Sequence, residues 1–237
     1  MDSDLYLDIT DFAHSTPTWV QQLGEVWTEA GLLLFGVLFV IGWWRSRRED
    51  AAAVALAVLA PVATAVALVL SEAVKSAVQE ERPCRAVAGA PASLVECPPH
   101  GDWSFPSNHS VIAGGAAVAL LLAWRGIGVL TLPMAVLMAF SRVFVGVHYP
   151  HDVLAGLVFG ALLAMLAMRV LRGPVEKLVL AMRGSGSGAV RWCVGAGTPA
   201  LPGQPAPGSV GYGAPDHRPE DRPSHRRTGN RRRAGRR

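Results

Sequence analysis

Long apolar runs joined by short polar connections constrain this chain more than any other feature. We identify five runs, at residues 26–44, 51–71, 110–124, 127–147 and 153–171. All but the third approach the roughly 20 residues that a helix needs to cross the hydrocarbon core of a bilayer. A backbone in lipid must satisfy its own hydrogen bonds, which a helix does within one segment. The sequence therefore predicts an all-α integral membrane bundle of about five transmembrane helices.

The charges around these runs are unevenly distributed. The first 44 residues contain six acidic residues and no Lys or Arg, whereas Arg45, Arg47 and Arg48 follow the first run directly. Basic residues that flank membrane spans prefer the cytoplasm. With this connection inside, five spans also place Arg125 and the basic C-terminal end inside. We therefore expect a multi-pass cell-membrane protein in which residues 72–109 and 148–152 face the extracytoplasmic side.

Composition divides the chain into two regions. Residues 1–172 hold the apolar runs and form the predicted membrane domain. Residues 173–237 contain twelve basic and four acidic residues and are rich in Gly, Pro and Arg. So few large apolar residues cannot form a core, which predicts a largely disordered cytoplasmic tail. We expect such a tail to face lipid headgroups, and we expect no nucleic-acid partner.

Two features concern the extracytoplasmic side. Trp19, Leu23 and Val26 recur at helical spacing, which predicts an N-terminal interfacial amphipathic helix that continues into the first run. Cys84 and Cys97 lie in one connection, on a side of the membrane where oxidation is permitted. The sequence leaves undecided whether they form a disulfide.

Three polar stretches lie at the ends of the apolar runs. They are Lys75 with Arg82 and Pro83, then Pro106-Ser107-Asn108-His109, then Ser141 and Arg142 with His148 and Asp152. Ionisable residues at a membrane boundary are costly unless they are paired or functional. We therefore interpret these stretches as parts of one site.

The residue types in these stretches favour phosphate chemistry. Arginine binds phosphoryl oxygens through two bonds and lysine acts as a point charge, which suits Lys75, Arg82 and Arg142 to a phosphate clamp. Ser107 precedes a predicted helix, whose first backbone N–H groups also bind anions. If a helix begins near Pro150, Asp152 comes within reach of His148 and makes the imidazole a better base or nucleophile.

The three stretches together resemble the signature of the type 2 phosphatidic acid phosphatase superfamily, or lipid phosphate phosphatases, which shares its core with vanadium haloperoxidases. That signature has Lys, six residues and Arg-Pro; then Pro-Ser-Gly-His; then Ser-Arg, five residues, His, three residues and Asp. Every spacing matches here. One residue differs, because Asn108 stands where the signature has Gly. The difference concerns whether the backbone N–H at position 108 is placed to bind the phosphoryl group.

The resemblance implies a mechanism without a metal or other cofactor. His148 would attack phosphorus, Asp152 would orient His148, and His109 would protonate the leaving oxygen and then activate water. The phosphoryl oxygens would be bound by Lys75, Arg82, Ser107, Asn108 and Arg142. We favour a polyprenyl diphosphate such as undecaprenyl diphosphate as the substrate, with phosphatidic acid or phosphatidylglycerol phosphate as alternatives.

Other interpretations stay open at this point. The chain could bind or transport lipid phosphates without hydrolysis, or act as a haloperoxidase, although those relatives are mostly soluble. His109, His148 and Asp152 could hold Zn²⁺, but three nearby cations oppose a metal. The remaining loop residues we interpret as solvated: Glu80, Glu81, Glu96, Asp102, His14, His100 and His151. The expected partners are the lipid phosphate substrate and membrane lipids, and nothing in the sequence defines the oligomeric state.

Overall fold

A computed structural model describes residues 2–197, and every regular element in this range is a helix. The α-helices are α1 Asp2–Ser15, α2 Thr18–Ser46, α3 Ala51–Val78, α4 Pro83–Ala86, α5 Asn108–Ala123, α6 Gly128–Phe144, α7 Pro150–Arg183 and α8 Gly188–Val194. A 3₁₀ turn, Arg125–Ile127, connects α5 to α6. The predicted all-α membrane bundle is confirmed.

Four helical segments are long and apolar enough to cross a membrane: Thr18–Ser46, Ala51–Ala86, Arg125–Phe144 and Pro150–Arg183. The third predicted run coincides with α5, which has 16 residues and is shorter than these four. At about 1.5 Å per residue, α5 is about 24 Å long. It packs against α7, α3, α6 and α2, and most of its residues are buried. α5 is therefore the central helix of the bundle.

Glycines allow α5 and α7 to touch along their backbones. A Cβ atom at Gly160 would lie 2.1 Å from the carbonyl oxygen of Val111, and one at Gly156 would lie 2.7 Å from the carbonyl oxygen of Ser107. Small residues commonly permit such close approach in membrane bundles. Because the contacts advance in the same direction along both helices, the N-terminal ends of α5 and α7 lie side by side.

The N-terminal region contains the predicted helix and one further helix that the sequence did not predict. Residues 19–29, predicted as an interfacial helix leading into the first run, form the first part of the continuous 29-residue helix α2. A separate helix, α1, precedes them and packs against α6 and α7. Tyr6 on α1 is buried, and its hydroxyl donates a hydrogen bond to the carbonyl oxygen of Gly146 at 3.0 Å.

The C-terminal region is more ordered than predicted. The helix α7 continues to Arg183, so the predicted tail starting at residue 173 is helical over its first eleven residues. α8 then packs back on the bundle, where Val194 joins a buried cluster with Ala51 and Val179. Apolar contacts that the sequence pattern did not indicate stabilise this segment. The rest of the tail, residues 198–237, lies outside the described residues, and its disorder stays a prediction.

Candidate active site

The start of α7 fixes a carboxylate beside a histidine. His148 lies in the connection between α6 and α7, and Asp152 is the third residue of α7; both are buried. Pro150 occupies the first helical position, where a missing N–H costs nothing. The Asp152 Oδ2 atom accepts a hydrogen bond from the Tyr149 backbone N–H at 2.8 Å and lies 3.3 Å from His148 Nδ1. A helix cap thus also sets the His–Asp geometry.

Neighbouring elements hold the connection that carries His148. Gly146 has a φ of +84°, a left-handed conformation that glycine adopts without strain. The Val145 carbonyl accepts a hydrogen bond from the Leu94 backbone N–H at 3.0 Å. The Val147 carbonyl accepts one from Arg82 Nη1, also at 3.0 Å. With the Tyr6 bond to Gly146, three successive carbonyls are anchored from other parts of the chain, which restricts the position of His148.

Ser104 belongs to the same group, although none of the sequence motifs includes it. Its hydroxyl is buried, donates to Asp152 Oδ2 at 2.5 Å and lies 3.3 Å from His148 Nδ1. The Ser104 backbone N–H in turn donates to the Glu80 carbonyl at 2.7 Å. Its proximity to Ser107 in sequence was the available signal, but a lone serine two residues before a motif predicts no role.

The partners of His148 define where its proton lies. Arg82 Nη1 lies 2.9 Å from His148 Nε2. A guanidinium group has donors and no acceptor, so Nε2 must accept and carries no proton. The proton of the neutral ring is therefore on Nδ1, which faces Asp152 Oδ2 and Ser104. This tautomer leaves the Nε2 lone pair directed at the cationic side of the site.

The environment of His148 favours its neutral form. Complete burial lowers the pKa of His148 well below the usual 6.5, because a charged ring would lose its hydration. The positive charges of Arg82, Arg142 and Lys75 lower the pKa further, with a smaller effect from His109. These contributions also place all three predicted cations and both predicted histidines within electrostatic range of one another.

Two of the cations share one carboxylate. Lys75, in the last turn of α3, and Arg82, just before α4, are both buried. Asp102 Oδ1 lies 3.3 Å from Lys75 Nζ and 2.9 Å from Arg82 Nη2. The interpretation of Asp102 as a solvated loop charge is therefore wrong, because it is the anionic partner of both cations.

Arg142 approaches from the last turn of α6. Its Nη1 donates to the hydroxyl of Thr28 on α2 at 2.7 Å, and its side chain is buried. Among the described residues no hydrogen-bond partner contacts Arg142 Nε, which is buried as well. Thr28 had no sequence signal, because a single threonine within an apolar run is common and lies far from Arg142 along the chain.

The start of α5 supplies the remaining predicted residues. Ser107 immediately precedes α5, and its buried hydroxyl has no hydrogen-bond partner within residues 2–197. Its backbone N–H donates to the Asp152 carbonyl at 3.1 Å, which joins this helix start to that of α7. His109 is mostly buried, and its Nε2 lies 3.8 Å from Glu29 Oε1 on α2, a neighbour that the sequence did not indicate.

Asn108 differs from the other predicted phosphate ligands, because its side chain is bonded to residues of α3. It is the first residue of α5, and its side chain accepts from the Ser71 hydroxyl at 3.0 Å and donates to Glu72 Oε1. Both partners are on α3, so the Asn108 amide is engaged there. Its backbone is helical and needs no unusual angles, which leaves only its backbone N–H to face a ligand at the helix start.

The histidine next to Asp152 is also more engaged than predicted. His151 Nε2 lies 3.0 Å from Glu80 Oε2 and 3.2 Å from Asp152 Oδ1. Within the described part of the chain, these three residues form the group whose spacing could hold a metal ion. The zinc set considered from sequence, with His109 and His148, is not this group. Glu80 and His151, which we interpreted as solvated, are partly exposed and also contact one another.

The connection between α4 and α5 is tied down covalently. Cys84 and Cys97 form a disulfide, which the sequence left open. Arg85 on α4 donates to the Glu81 carboxylate and to the Pro98 carbonyl. Arg85 and Glu81 therefore form an ion pair in addition to their contact with solvent. These links hold residues 97–104 near the cations, where Asp102 and Ser104 make their contacts.

The assembled side chains define a class of protein. They combine a buried, neutral histidine oriented by a carboxylate, three buried cations, and a helix start with an unpaired hydroxyl, all at one end of a membrane bundle. Such an arrangement can bind an oxyanion and attack it with an imidazole nitrogen. The chain belongs to the PAP2 superfamily, whose family model matches residues 56–174 and thus includes all three motifs. It is a multi-pass membrane protein.

Curated relatives include several lipid phosphatases. The chain is 38% identical over 115 residues to an undecaprenyl-diphosphatase from Sulfolobus acidocaldarius, a match that covers 48% of this chain and 54% of the relative. It is also 38% identical over 133 residues to a decaprenylphosphoryl-5-phosphoribose phosphatase from Mycobacterium tuberculosis, covering 55% and 66% of the two chains. The matches span about half to two thirds of these relatives.

Two solved structures share the fold. The crystal structure of Aquifex aeolicus LpxE has a TM-score of 0.54 and 20% identity, and the match covers 70% of this chain and 93% of that one. A PAP2-type phosphatidylglycerolphosphate phosphatase from Bacillus subtilis has a TM-score of 0.53 and 23% identity, covering 70% and 84%. At these identities the likeness concerns the fold alone.

Proposed function

We propose that this protein is a metal-independent membrane phosphatase that hydrolyses a lipid-linked phosphate or diphosphate through a phosphohistidine intermediate. The observation that carries the proposal is the contact between Arg82 Nη1 and His148 Nε2 at 2.9 Å. It requires an unprotonated Nε2 that faces the cations, which is the state a nucleophile needs. Membership of the PAP2 superfamily supports the same chemistry.

In the first step, a phosphoryl oxygen takes over the Arg82 Nη1 hydrogen bond from His148 Nε2. The freed Nε2 lone pair attacks phosphorus, and the bond from phosphorus to the leaving oxygen breaks. His109 gives its proton to that oxygen. Asp152 stabilises the positive charge that develops on the His148 ring by accepting from Nδ1–H. Lys75, Arg82, Arg142 and the Ser107 hydroxyl hold the phosphoryl oxygens, and the Asn108 backbone N–H adds to them, so that charge in the transition state is compensated.

In the second step, water hydrolyses the phosphohistidine. Neutral His109 removes a proton from the water as its oxygen attacks phosphorus. The bond between phosphorus and Nε2 breaks, and the electron pair returns to His148. Inorganic phosphate leaves, and His109 is again protonated for the next cycle.

A polyprenyl carrier is the favoured substrate. An apolar groove of about 380 Å³ lies between α2 and α6, with Trp27 and Ser141 among its lining residues. These residues adjoin Thr28 and Arg142, so a lipid tail in the groove would present its headgroup to the cations. The named activities of the two curated relatives concern polyprenyl-linked phosphates, which supports this class over phosphatidic acid or phosphatidylglycerol phosphate.

The site would face the extracytoplasmic side. Arg45 in the last turn of α2, with Arg47 and Arg48 just after this helix, lies at the end of the bundle opposite to the site, and Arg125 follows α5 at the same end. Basic residues at span ends favour the cytoplasm. The basic tail would then also be cytoplasmic.

Replacement of the nucleophile tests the proposal. In the purified full chain, His148→Ala should reduce phosphate release from undecaprenyl diphosphate by about 10⁴-fold or more, because the covalent route is lost. Release by the unchanged protein should persist in EDTA, and vanadate, which mimics the transferring group, should inhibit it. The control is His100→Ala, which removes an exposed imidazole from the neighbouring connection and should leave activity unchanged.

The result also separates hydrolysis from mere binding. A protein that binds lipid phosphates without turnover would release no phosphate under any of these conditions, and equal activity of His148→Ala and the unchanged chain would contradict the phosphohistidine route. A panel of prenyl and diacylglycerol phosphates measured in parallel then identifies the preferred lipid.

A further inference from the structure

Asp102 occupies the positions on two cations that the proposed function assigns to the substrate. Its Oδ1 atom accepts from Arg82 Nη2 at 2.9 Å and lies 3.3 Å from Lys75 Nζ. Its carbonyl oxygen accepts from Arg82 Nε at 2.8 Å. One residue therefore uses three of the donors that would otherwise face a phosphoryl group.

The two sides of this contact differ in how firmly they are held. The Lys75 and Arg82 side chains are 5% and 3% exposed, on α3 and just before α4, whereas the Asp102 side chain is 46% exposed. Asp102 ends a turn in which its N–H donates to the Pro99 carbonyl and Gly101 has a φ of +91°. A cavity of about 310 Å³, lined in part by Lys75, Asp102 and Trp103, adjoins the contact. The carboxylate can thus withdraw from cations that themselves have little room to move.

Asp102 and a phosphate cannot both bind these donors. A carboxylate and a phosphoryl group present similar oxygen pairs to a guanidinium, and both are negatively charged. At a separation of a few ångströms in a partly buried site, their repulsion is strong. Partial burial acts to raise the pKa of Asp102, but the hydrogen bond and charge of Arg82, with those of Lys75, outweigh it and lower the pKa below 3.8. Asp102 is therefore ionised at neutral pH.

We propose that Asp102 is an internal competitor for the phosphoryl subsite, and that it makes the site selective for dianionic terminal phosphates over monoanionic phosphodiesters. This proposal rests on the proposed function, because it concerns the same site. A terminal phosphate carries up to two charges and can displace one carboxylate from two cations. A phosphodiester headgroup, as in most membrane phospholipids, carries one charge and gains little by the exchange. Asp102 thereby keeps the bulk lipids out of the site.

The first test is Asp102→Asn in the full chain in detergent, with Glu96→Gln as the control that removes one exposed carboxylate from the same connection. Binding of inorganic phosphate and of vanadate is measured by calorimetry. Asp102→Asn should tighten both by about tenfold or more, because the competing charge is gone. Glu96→Gln and Asp102→Glu should bind as the unchanged chain does. Unchanged or weaker binding in Asp102→Asn overturns the proposal.

The second test concerns selectivity. Short-chain phosphatidylglycerol, a monoanionic phosphodiester, is titrated as a competitor of vanadate binding. The affinity for phosphatidylglycerol should rise in Asp102→Asn by a factor at least about tenfold larger than the factor by which vanadate binding tightens. An equal gain for the two ligands contradicts the selectivity.

A third measurement does not depend on the folding of a variant. Amide hydrogen exchange of residues 99–103 in the unchanged chain should increase when vanadate binds, because Asp102 leaves its turn. Unchanged exchange there contradicts displacement. All three readouts are binding equilibria or exchange rates. A chain that binds phosphate but releases none would refute the proposed function and still decide the role of Asp102.

Discussion

The two ends of the bundle both carry cationic side chains, but the surroundings of those charges differ. At the site end, Lys75, Arg82 and Arg142 are buried and held by a carboxylate, a backbone carbonyl and a hydroxyl. At the opposite end, about 42 Å away along the 28 residues of α3, Arg45 is exposed and lies 3.9 Å from Glu49.

At that opposite end, Arg47 lies against aromatic rings. The Arg47 guanidinium lies 4.4 Å from the ring centre of Trp44 and 4.5 Å from that of Trp192, which brings α8 against the end of α2. A cation on an aromatic face keeps much of its contact with water and stabilises packing by a modest amount. A buried cation loses its hydration, and this cost is offset only where anionic or hydrogen-bonding groups contact it. The comparison indicates that burial of a cation, rather than its presence, distinguishes the end of the bundle that carries the proposed site.

Replacing one arginine at each end tests this contrast directly, and of the tests of the contrast it should give the largest effect. Arg142→Ala should reduce the rate of phosphate release by about 10²–10³-fold, because a donor to the phosphoryl oxygens is lost. Arg47→Ala should leave the rate within about twofold and lower the unfolding temperature instead, since only the contacts to Trp44 and Trp192 disappear. Comparable losses of activity in both variants would refute the distinction between the two ends.

A smaller effect is expected for a hydroxyl that positions the reacting groups. Ser104→Ala removes the hydrogen bond to Asp152 Oδ2 and should lower kcat by about tenfold or more with little change in KM, because the substrate does not touch Ser104. The acid limb of the pH–rate profile should also shift, which loss of packing alone would not cause. Ser93→Ala, whose hydroxyl bonds the Val95 carbonyl in the same connection, is the matched control. A change in KM alone would contradict the positioning role.

The smallest effect concerns the pH dependence of stability at the site end. The unfolded chain protonates His148 near pH 6.5, whereas the folded protein keeps it neutral because burial and Arg82 lower its pKa. Below pH 6.5 the unfolded state therefore binds an extra proton, and the free energy of unfolding should fall by up to about 1.4 kcal/mol per pH unit.

Thermal unfolding in detergent between about pH 7.5 and 5.5 measures this dependence. His148→Gln should reduce the slope, and His100→Ala, which removes an exposed imidazole, should not. An identical slope in His148→Gln and the unchanged chain would show that His148 is not the group responsible.

Several features followed from the sequence because they depend on local spacing. The apolar runs predicted the helices, and the step from His148 to Asp152 predicted their contact, since a helix that begins at Pro150 brings them within one turn. The motif spacings also indicated the family. The helix at residues 19–29 continues into the first apolar run, as its pattern predicted, whereas α1 had too weak an apolar pattern to be noticed.

The sequence by itself determined which residue types are present and which helices carry them. Only the tertiary structure decided the partners: Thr28 for Arg142, 114 residues away, Ser104 for Asp152, 48 residues away, and Asp102 for both Lys75 and Arg82. The physical reason is that turn geometry fixes contacts between near neighbours, whereas these contacts depend on how distant elements pack: α2 against α6 for Thr28, and the disulfide-linked connection against α3 and α7 for Asp102 and Ser104. Close backbone approach at Gly156 and Gly160 then brings the starts of α5 and α7 together.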